Sequence, residues 1–153
     1  MEYMSQEGYD KLVDELHQLE AVELTRVREA IAEARAQGDL SENFEYHAAK
    51  REQGRLLSRI RYKQRVLEFA RVIDTSQLAT DSIRLLSKVE MTNLDTQRRM
   101  TYIIASPHEA NLREGKISVS SPIAKALMGK KVGDTVTVAV PAGMLRLRID
   151  SIL

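Results

Sequence analysis

The chain has 153 residues and a formal net charge of +1, with 43% hydrophobic and 29% charged residues. This composition is typical of a soluble folded protein and excludes a disordered one, and the length allows one domain or two small ones. The absence of cysteine excludes disulfides and thiolate metal sites and fits a reducing cytosol. No apolar run approaches the roughly 20 residues of a membrane span, and the first residues lack the basic and apolar regions of a secretory signal. We therefore expect a cytoplasmic protein without a secretory leader or membrane contact.

The first part of the chain has the pattern of one long helix, with Ser5 as its N-cap and its end near Gln37. Apolar residues recur there at steps of three and four, which is the spacing of a coiled-coil seam. The step of five between Leu19 and Leu24 interrupts this spacing, so we predict a local shift of the seam. Gly38 follows where a helix end favours a residue with positive φ. The predicted seam residues are Tyr9, Leu12, Leu16, Leu19, Leu24, Val27, Ile31 and Ala34.

A second helix is predicted from about Leu40 to Ala70. Its apolar residues mirror those of the first helix about a point between Ser41 and Glu42. This symmetry favours an antiparallel hairpin within one chain, because a parallel dimer would not require it, and we expect a monomer. The predicted seam residues of this helix are Ala48 or Ala49, Leu56, Ile60, Lys63, Leu67 and Ala70.

Beyond Arg71 the sequence changes to β-like stretches that are rich in Val, Ile and Thr and are separated by turn residues. A short helix is predicted at residues 123–128, with Pro122 near its first turn. We therefore predict two domains of an α+β protein, an antiparallel coiled-coil hairpin at residues 1–74 and a small mixed domain at residues 80–153. The predicted strands are residues 83–94, 98–105, 117–120, 135–140 and 144–153.

The stretch at the junction of the two predicted helices, residues 38–47, carries three carboxylates and neither Lys nor Arg. In one interpretation, Asp39 and Glu42 form a capping box at the start of the second helix. In the other, their oxygens bind a hard divalent cation, with Mg²⁺ as the favoured ion. Two exposed carboxylates do not hold Mg²⁺ tightly, so a partner's carboxylates or phosphate oxygens would have to complete the site. The two interpretations are compatible.

Aromatic residues accompany these carboxylates at the predicted tip. Phe44 is an apolar residue in a region that should be wet, and the favoured interpretation is that it packs over the hairpin seam. Tyr46 and His47 either do the same or orient a water molecule or a base.

The second helix is strongly basic after the tip. Residues 50–65 contain seven basic residues and one acidic residue, whereas acidic residues clearly outnumber basic ones in residues 1–33. Pairing with the acidic first helix, through Glu20, Glu23 and Glu29, would explain part of this charge. We favour contact with nucleic-acid phosphates for the remainder, which would be salt-sensitive and blind to base sequence. The basic residues that recur every four positions are Arg51, Arg55, Arg59 and Lys63.

Two long motifs resemble one known family. Residues 31–50 (IAEARAQGDLSENFEYHAAK) are similar to the tip motif of the bacterial transcript cleavage factors of the GreA/GreB family. Residues 117–130 (ISVSSPIAKALMGK) are similar to its C-terminal signature. Length and domain order agree, so the resemblance covers nearly the whole chain. Within the family the chain is most like GreA, although Ser41 stands where many GreA proteins have Lys, Phe44 stands where Ala is usual, and the dense basic run leans towards GreB.

The resemblance implies a coiled-coil hairpin followed by an FKBP-like domain with an antiparallel sheet and a short helix. It implies a transcription elongation factor that binds bacterial RNA polymerase and is not itself an enzyme. The C-terminal domain would dock at the rim of the secondary channel, and the hairpin tip would reach the active site. There it would stimulate the polymerase's own Mg²⁺-dependent cleavage of backtracked nascent RNA.

The resemblance also implies roles for individual residues. Asp39 and Glu42 would hold a catalytic Mg²⁺ jointly with the polymerase, and the chain alone would bind no ion tightly. Neighbouring tip residues would support this site, and the basic face would guide the nascent RNA 3′ end. The supporting residues are Asn43, Phe44, Glu45 and Tyr46, and the RNA-contacting residues are Lys50, Arg51, Arg55 and Arg59.

Three other functions compete with transcript cleavage. A regulator could insert the same hairpin into the channel without promoting cleavage, and the presence of Asp39 and Glu42 argues against this. A prolyl isomerase would need several aromatic residues around its pocket, and from residue 75 onward the chain has only Tyr102. A plain coiled-coil adaptor would leave the carboxylates at the tip unexplained.

Overall fold

A computed structural model describes residues 2–38 and 43–153 of the chain. It divides the chain into two compact units, which we call the helical unit (residues 7–70) and the sheet unit (residues 2–6 and 71–153). The predicted α+β class, with a helical hairpin followed by a sheet and a short helix, is confirmed. Within the described ranges, no helix has the length and apolar character that a membrane span requires.

The hairpin is built from two α-helical segments joined by a π-helical turn, followed by one long returning helix. These elements are α1 (Gln6–Gln18), the π turn (Leu19–Glu23), α2 (Leu24–Ala36) and α3 (Phe44–Glu68). The predicted start of the second helix, near Leu40, is wrong, because α3 begins at Phe44. Its predicted end at Ala70 is also late, since Ala70 already begins a β-strand.

The π turn lies where the apolar spacing increases to five residues. The backbone N–H of Leu24 donates to the carbonyl of Leu19, five residues earlier, and both side chains are buried, with 7% and 8% exposure for Leu19 and Leu24. In a regular α-helix a step of five would place the second leucine about 140° from the first around the axis. The π turn takes up one extra residue, so both leucines face the seam. The irregularity was predicted at the right place, but the predicted shift of the seam is wrong, because the backbone changes to a π turn and the seam stays continuous.

The two sides of the hairpin pack through one apolar seam, largely as the sequence predicts. On the returning helix it is Ala49, and not Ala48, that is buried, and Val66 is buried although it was not predicted. Lys63 is only half-buried, because its Nζ forms an ion pair 3.0 Å from an Oε of Glu15. The buried residues of the seam are Leu19, Leu24, Val27, Ile31, Ala49, Leu56 and Ile60.

The sheet unit contains a two-stranded sheet and a five-stranded sheet with one short helix. The small sheet pairs β1 (Glu2–Ser5) with β2 (Ala70–Ile73). The large sheet has the order β5-β4-β3-β7-β6. Its elements are β3 (Lys88–Asn93), β4 (Arg99–Ala105), β5 (Lys116–Ser118), β6 (Thr135–Val140) and β7 (Gly143–Ile152), and the helix is α4 (Pro122–Leu127).

The sheet differs from the prediction in two places. The expected antiparallel pairing holds for three of its four strand pairs, but β4 and β5 run parallel. Residues 83–87 are not a strand, because Leu86 has a φ of 70° and Ser87 bonds back to Arg84 through both its backbone N–H and its hydroxyl. These bonds form a tight turn before β3 begins.

One face of the large sheet and α4 enclose the core of this unit. Ser121 caps α4 by accepting a hydrogen bond from the backbone N–H of Ala124 at 3.2 Å, with Pro122 in the first turn as predicted. On β3 and β7 the fully buried side chains alternate, as expected for a sheet with one covered face. The fully buried residues of the core are Val89, Met91, Ile104, Leu147 and Ile149 of the sheet and Ala124 and Leu127 of α4.

The N-terminal strand β1, which the sequence did not predict, is held to the sheet unit by polar contacts. The backbone N–H of Ser5 donates to Glu109 at 3.2 Å, and the Ser5 hydroxyl donates to the same carboxylate. Nε2 of His108 lies 3.2 Å from a carboxylate oxygen of Glu2. Met4 is buried. The first residues of the chain therefore belong to the sheet unit.

Asp150 makes the stability of the sheet unit depend on pH. The hydroxyl of Thr92 and the guanidinium of Arg148 donate to its carboxylate and lower its pKa. A carboxyl with a lowered pKa stabilises the fold above its ordinary pKa of about 4, and this contribution is lost as the pH falls through the lowered value. We predict that Asp150→Asn lowers the free energy of unfolding at pH 7 more than at pH 2.5. Urea denaturation at both pH values measures this, and equal losses would contradict it.

Candidate functional site

Asn43 joins the two helix ends at the hairpin tip. Its side-chain oxygen accepts a hydrogen bond from the backbone N–H of Tyr46 at 3.1 Å, which caps the start of α3. Its Nδ2 donates to the backbone carbonyl of Ala34, in the last turn of α2, at 2.8 Å. The first N–H groups of a helix have no intrahelical partner, and the Asn43 oxygen satisfies one of them at the start of α3. The Ala34 carbonyl also accepts from the backbone N–H of Gln37 at 3.2 Å, so the Asn43 amide adds a second bond there.

The two acidic residues of the predicted site, Asp39 and Glu42, lie outside the described residues. The N-cap of α3 is Asn43, with φ −89° and ψ 100°, so the interpretation of Asp39 as the cap of this helix is wrong. The second part of that interpretation, the contacts of Asp39 and Glu42 themselves, lies outside the described residues. Gly38, at the end of α2, has a φ of +115°, as the sequence predicted.

We predict that Asn43→Ala destabilises the hairpin by about 1–2 kcal/mol, because it removes both an N-cap and a second hydrogen bond. Asn43→Asp should cost less, since it keeps the capping oxygen and loses only the donor to the Ala34 carbonyl. Urea denaturation of the two variants measures these losses. Equal stability of the wild type and Asn43→Ala would show that the bridge contributes nothing.

Tyr46 connects the tip to the seam, which is the first of the two roles that the sequence left open. Its ring is partly buried against the apolar cluster of the hairpin. The guanidinium carbon of Arg35 lies 5.7 Å from the ring centroid, within the range of a cation–π contact. His47 meets the same ring edge-on, with 5.5 Å between the centroids.

Phe44 does not pack over the seam, so that prediction is wrong. Its side chain is 88% exposed. The reason is its position on α3, since it precedes the buried Ala49 by five residues and so lies about 140° away around the axis. Glu45, next to it in the first turn, is also exposed and is placed favourably for the positive end of the helix dipole.

The basic face of α3, which comprises Lys50, Arg51, Arg55 and Arg59, is exposed. The predicted neutralisation through Glu20, Glu23 and Glu29 is wrong, because no ion pair among the described residues joins any of them to α3. Glu23 pairs with Arg26 on its own side of the hairpin, and Glu20 accepts from the neutral amide of Gln64. Lys50 bonds to the amide of Gln53 at 3.3 Å. No carboxylate in the described parts of the chain lies within ion-pair distance of the three arginines.

The ion pairs that connect the two sides of the hairpin involve other basic residues. Arg26 pairs with Glu52, and Lys63 pairs with Glu15. Across residues 2–38 and 43–153, no three His, Cys, Asp or Glu side chains are grouped closely enough to hold a metal ion.

Two family descriptions match the chain. Residues 2–72 match "Transcription elongation factor, N-terminal", and residues 78–153 match "Transcription elongation factor, GreA/GreB, C-term". Together they cover nearly the whole chain.

Curated relatives agree with this match. The chain is 48% identical over 150 residues to the transcription elongation factor GreA of Christiangramia forsetii, covering 98% of this chain and 95% of the relative. It is 44% identical over 149 residues to that of Thermodesulfovibrio yellowstonii, covering 97% and 94%. Among solved structures, GreA factor homolog 1 of Thermus thermophilus is 27% identical, with coverage of 99% and 97% and a TM-score of 0.46. On the family matches and the identity to these relatives, the chain belongs to the GreA/GreB family of transcription elongation factors.

Proposed function

We propose that this protein is a transcript cleavage factor that inserts its hairpin tip into the secondary channel of bacterial RNA polymerase. There it stimulates the polymerase's own hydrolysis of backtracked nascent RNA. The observation that carries the proposal is the Asn43 bridge, which ties the two helix ends together on either side of the acidic motif. Membership of an elongation factor family supports the same function.

The dimensions of the hairpin suit delivery of side chains to a recessed site. The 25 residues of α3 span about 37 Å at 1.5 Å per residue, and a helix with its side chains is only about 10–12 Å wide. The continuous seam packs the π turn and α2 against the part of α3 from Ala49 to Ile60. A packed pair of helices can hold its tip in place far better than a flexible loop of the same length.

Asp39 and Glu42 are the residues we propose for the chemistry at the tip. Carboxylate oxygens are the donors that Mg²⁺ prefers, and two of them leave most of its coordination positions for the polymerase and the RNA. When bound, the ion would activate a water molecule and stabilise negative charge on the phosphate. The chain itself would then be a non-enzymatic factor that contributes ligands and depends on the polymerase for the reaction.

A cleavage assay tests this function. The protein is added to a purified elongation complex that has been halted and backtracked, with 3′-labelled RNA and Mg²⁺. The expected result is release of a short 3′ fragment and resumed elongation from the new end. Binding to the polymerase without any increase in cleavage would contradict the proposal and favour a regulator of the channel.

The basic face gives a separate prediction. Arg51 and Arg55 have no carboxylate partner among the described residues and should contact the phosphates of the extruded RNA. We predict that the double variant Arg51→Glu/Arg55→Glu loses most of the photocrosslink between the RNA 3′ end and the factor. Arg113→Glu, which changes an exposed arginine of the sheet unit, is the matched control. An unchanged crosslink in the double variant would refute RNA contact at this face.

A further inference from the structure

Two exposed aromatic residues share one stripe of α3 with two arginines. At about 100° per residue, Phe44, Arg51, Arg55 and Tyr62 lie within about 40° of one another around the helix axis. We call these four residues the outer stripe. The side chain of Phe44 is 88% exposed and that of Tyr62 is 51% exposed, and both arginines are exposed.

The outer stripe faces away from the hairpin seam. Leu56 and Ile60, which are buried against the first helix, lie about 120–160° from Phe44 around the axis. The three carboxylates of α3, from Glu45, Glu52 and Glu68, all fall at least about 80° from the centre of the stripe. Val66, four residues beyond Tyr62, is buried about 40° from Phe44 around the axis, so the exposed stripe ends at Tyr62. Between Phe44 and Tyr62 the outer stripe is an exposed surface of aromatic rings and positive charge that carries no carboxylate of α3.

The exposed ring of Phe44 has no stabilising role in the apolar seam of the hairpin. Apolar surface left in water gains nothing from folding, and Phe44 makes no contribution to the apolar cluster of the seam. Interleaving of rings and arginines is the arrangement that binds single-stranded nucleic acid, since bases stack on the rings and phosphates pair with the guanidinium groups. A protein partner would favour a contiguous apolar patch, whereas Phe44 and Tyr62 are about 27 Å apart along the helix.

We propose that Phe44 and Tyr62 are base-stacking residues and that the outer stripe binds single-stranded RNA along the returning helix. The inference rests on the proposed function for the choice of RNA as the strand. It adds that recognition involves the bases as well as the phosphates, and that it occurs on the free protein. The length of the stripe implies contact with several nucleotides, with a ring near each end.

Fluorescence anisotropy of the full chain with a labelled 12-nucleotide RNA that cannot pair with itself tests the inference without the polymerase. We expect Phe44→Leu and Tyr62→Leu each to weaken binding about fivefold or more, because leucine keeps an apolar side chain but removes the stacking surface. The double variant should show the product of the two effects, since the sites are far apart. Tyr62→Phe should bind like the wild type, and Tyr3→Leu, at an exposed tyrosine outside the helical unit, is the matched control.

Salt dependence separates stacking from charge. The aromatic variants should leave the slope of log affinity against log salt unchanged, whereas Arg51→Gln and Arg55→Gln should each reduce it by about 0.7. Similar affinity for single-stranded DNA would support base stacking, and equal affinity for duplex RNA would overturn it.

Two outcomes would refute the inference while leaving the proposed function intact. One is wild-type RNA affinity in both leucine variants together with stimulated cleavage by the wild type. The other is weaker polymerase binding by these variants with unchanged RNA affinity, which would make the outer stripe a protein-docking surface. If the wild-type protein fails to stimulate cleavage, the proposed function is refuted. The RNA titration would still decide the inference.

Discussion

Replacement of Asp39 or Glu42 by alanine is expected to reduce stimulated RNA cleavage by at least about 100-fold and to leave polymerase binding nearly unchanged. Loss of an outer-sphere group around a metal typically costs 10–100-fold in activity, and loss of a direct ligand should cost at least as much. The surface with which this protein binds the polymerase would be unaffected, because each substitution removes only one carboxylate at the hairpin tip. Cleavage of a backtracked complex at saturating factor concentration measures the effect.

The matched control for these variants is Glu33→Ala. Glu33 is an exposed carboxylate on α2, near the tip but outside the acidic motif, and its loss should leave the cleavage rate within about twofold of the wild type. If Asp39→Ala and Glu42→Ala both cleave at the rate of Glu33→Ala, the tip carboxylates hold no essential ion.

Deletion of one residue inside the π turn is expected to leave the hairpin folded with nearly unchanged stability. Without Ala21, the step from Leu19 to Leu24 becomes four residues, which a regular α-helix places on one face at about 40° separation. The π turn can then become α-helical, and every seam residue keeps its orientation. We expect a change of less than about 1 kcal/mol in the free energy of unfolding, measured by urea denaturation.

Deletion of Arg28 is the contrasting experiment, because Arg28 is exposed, as Ala21 is, but lies outside the π turn. It lies between Val27 and Ile31 in regular α-helix, so its loss turns the preceding residues about 100° around the axis. At least Leu24 and Val27 would leave the seam, and their exposure should cost about 3 kcal/mol or more. If the two deletions were equally destabilising, the π turn would not be a means of taking up the fifth residue.

The hairpin could be predicted from the sequence because its signals are periodic. Apolar steps of three and four fix the face of each helix, and the step from Leu19 to Leu24 marks the one place where that regularity must change. The exposure of Phe44 could have been predicted by the same reasoning, because its angular position around the helix axis, relative to Ala49, points it away from the seam. Its apolar character favoured the opposite interpretation and proved misleading.

The start of α3 was harder to predict, for a physical reason. Asp39 and Asn43 are both good helix N-caps, and local sequence does not distinguish them. The choice of Asn43 depends on a second bond, from its amide to the carbonyl of Ala34 on the other helix. An aspartate has no donor for this bond, so the tertiary structure of the hairpin selects the amide.

In the sheet unit, the missed features depend on partners far away in sequence. β1 has only four residues, and its polar contacts come from Glu109 and His108, about a hundred positions later. The direction of β5 is set by the connection after β4, where Asn111 pairs with Lys116 and reverses the chain. The carboxylates of the candidate site were identified from the sequence, and their role remains a prediction.

The Asn43 bridge has a consequence for how such proteins diversify. Because one amide fastens the closing turn of α2 to the opening turn of α3, the segment it spans can change composition without shifting the seam on either side. Natural variants can therefore exchange the chemistry they carry at this extremity while inheriting an unaltered scaffold. For the same reason, the segment between α2 and α3 is a suitable place to insert a different ligand-binding sequence by protein engineering.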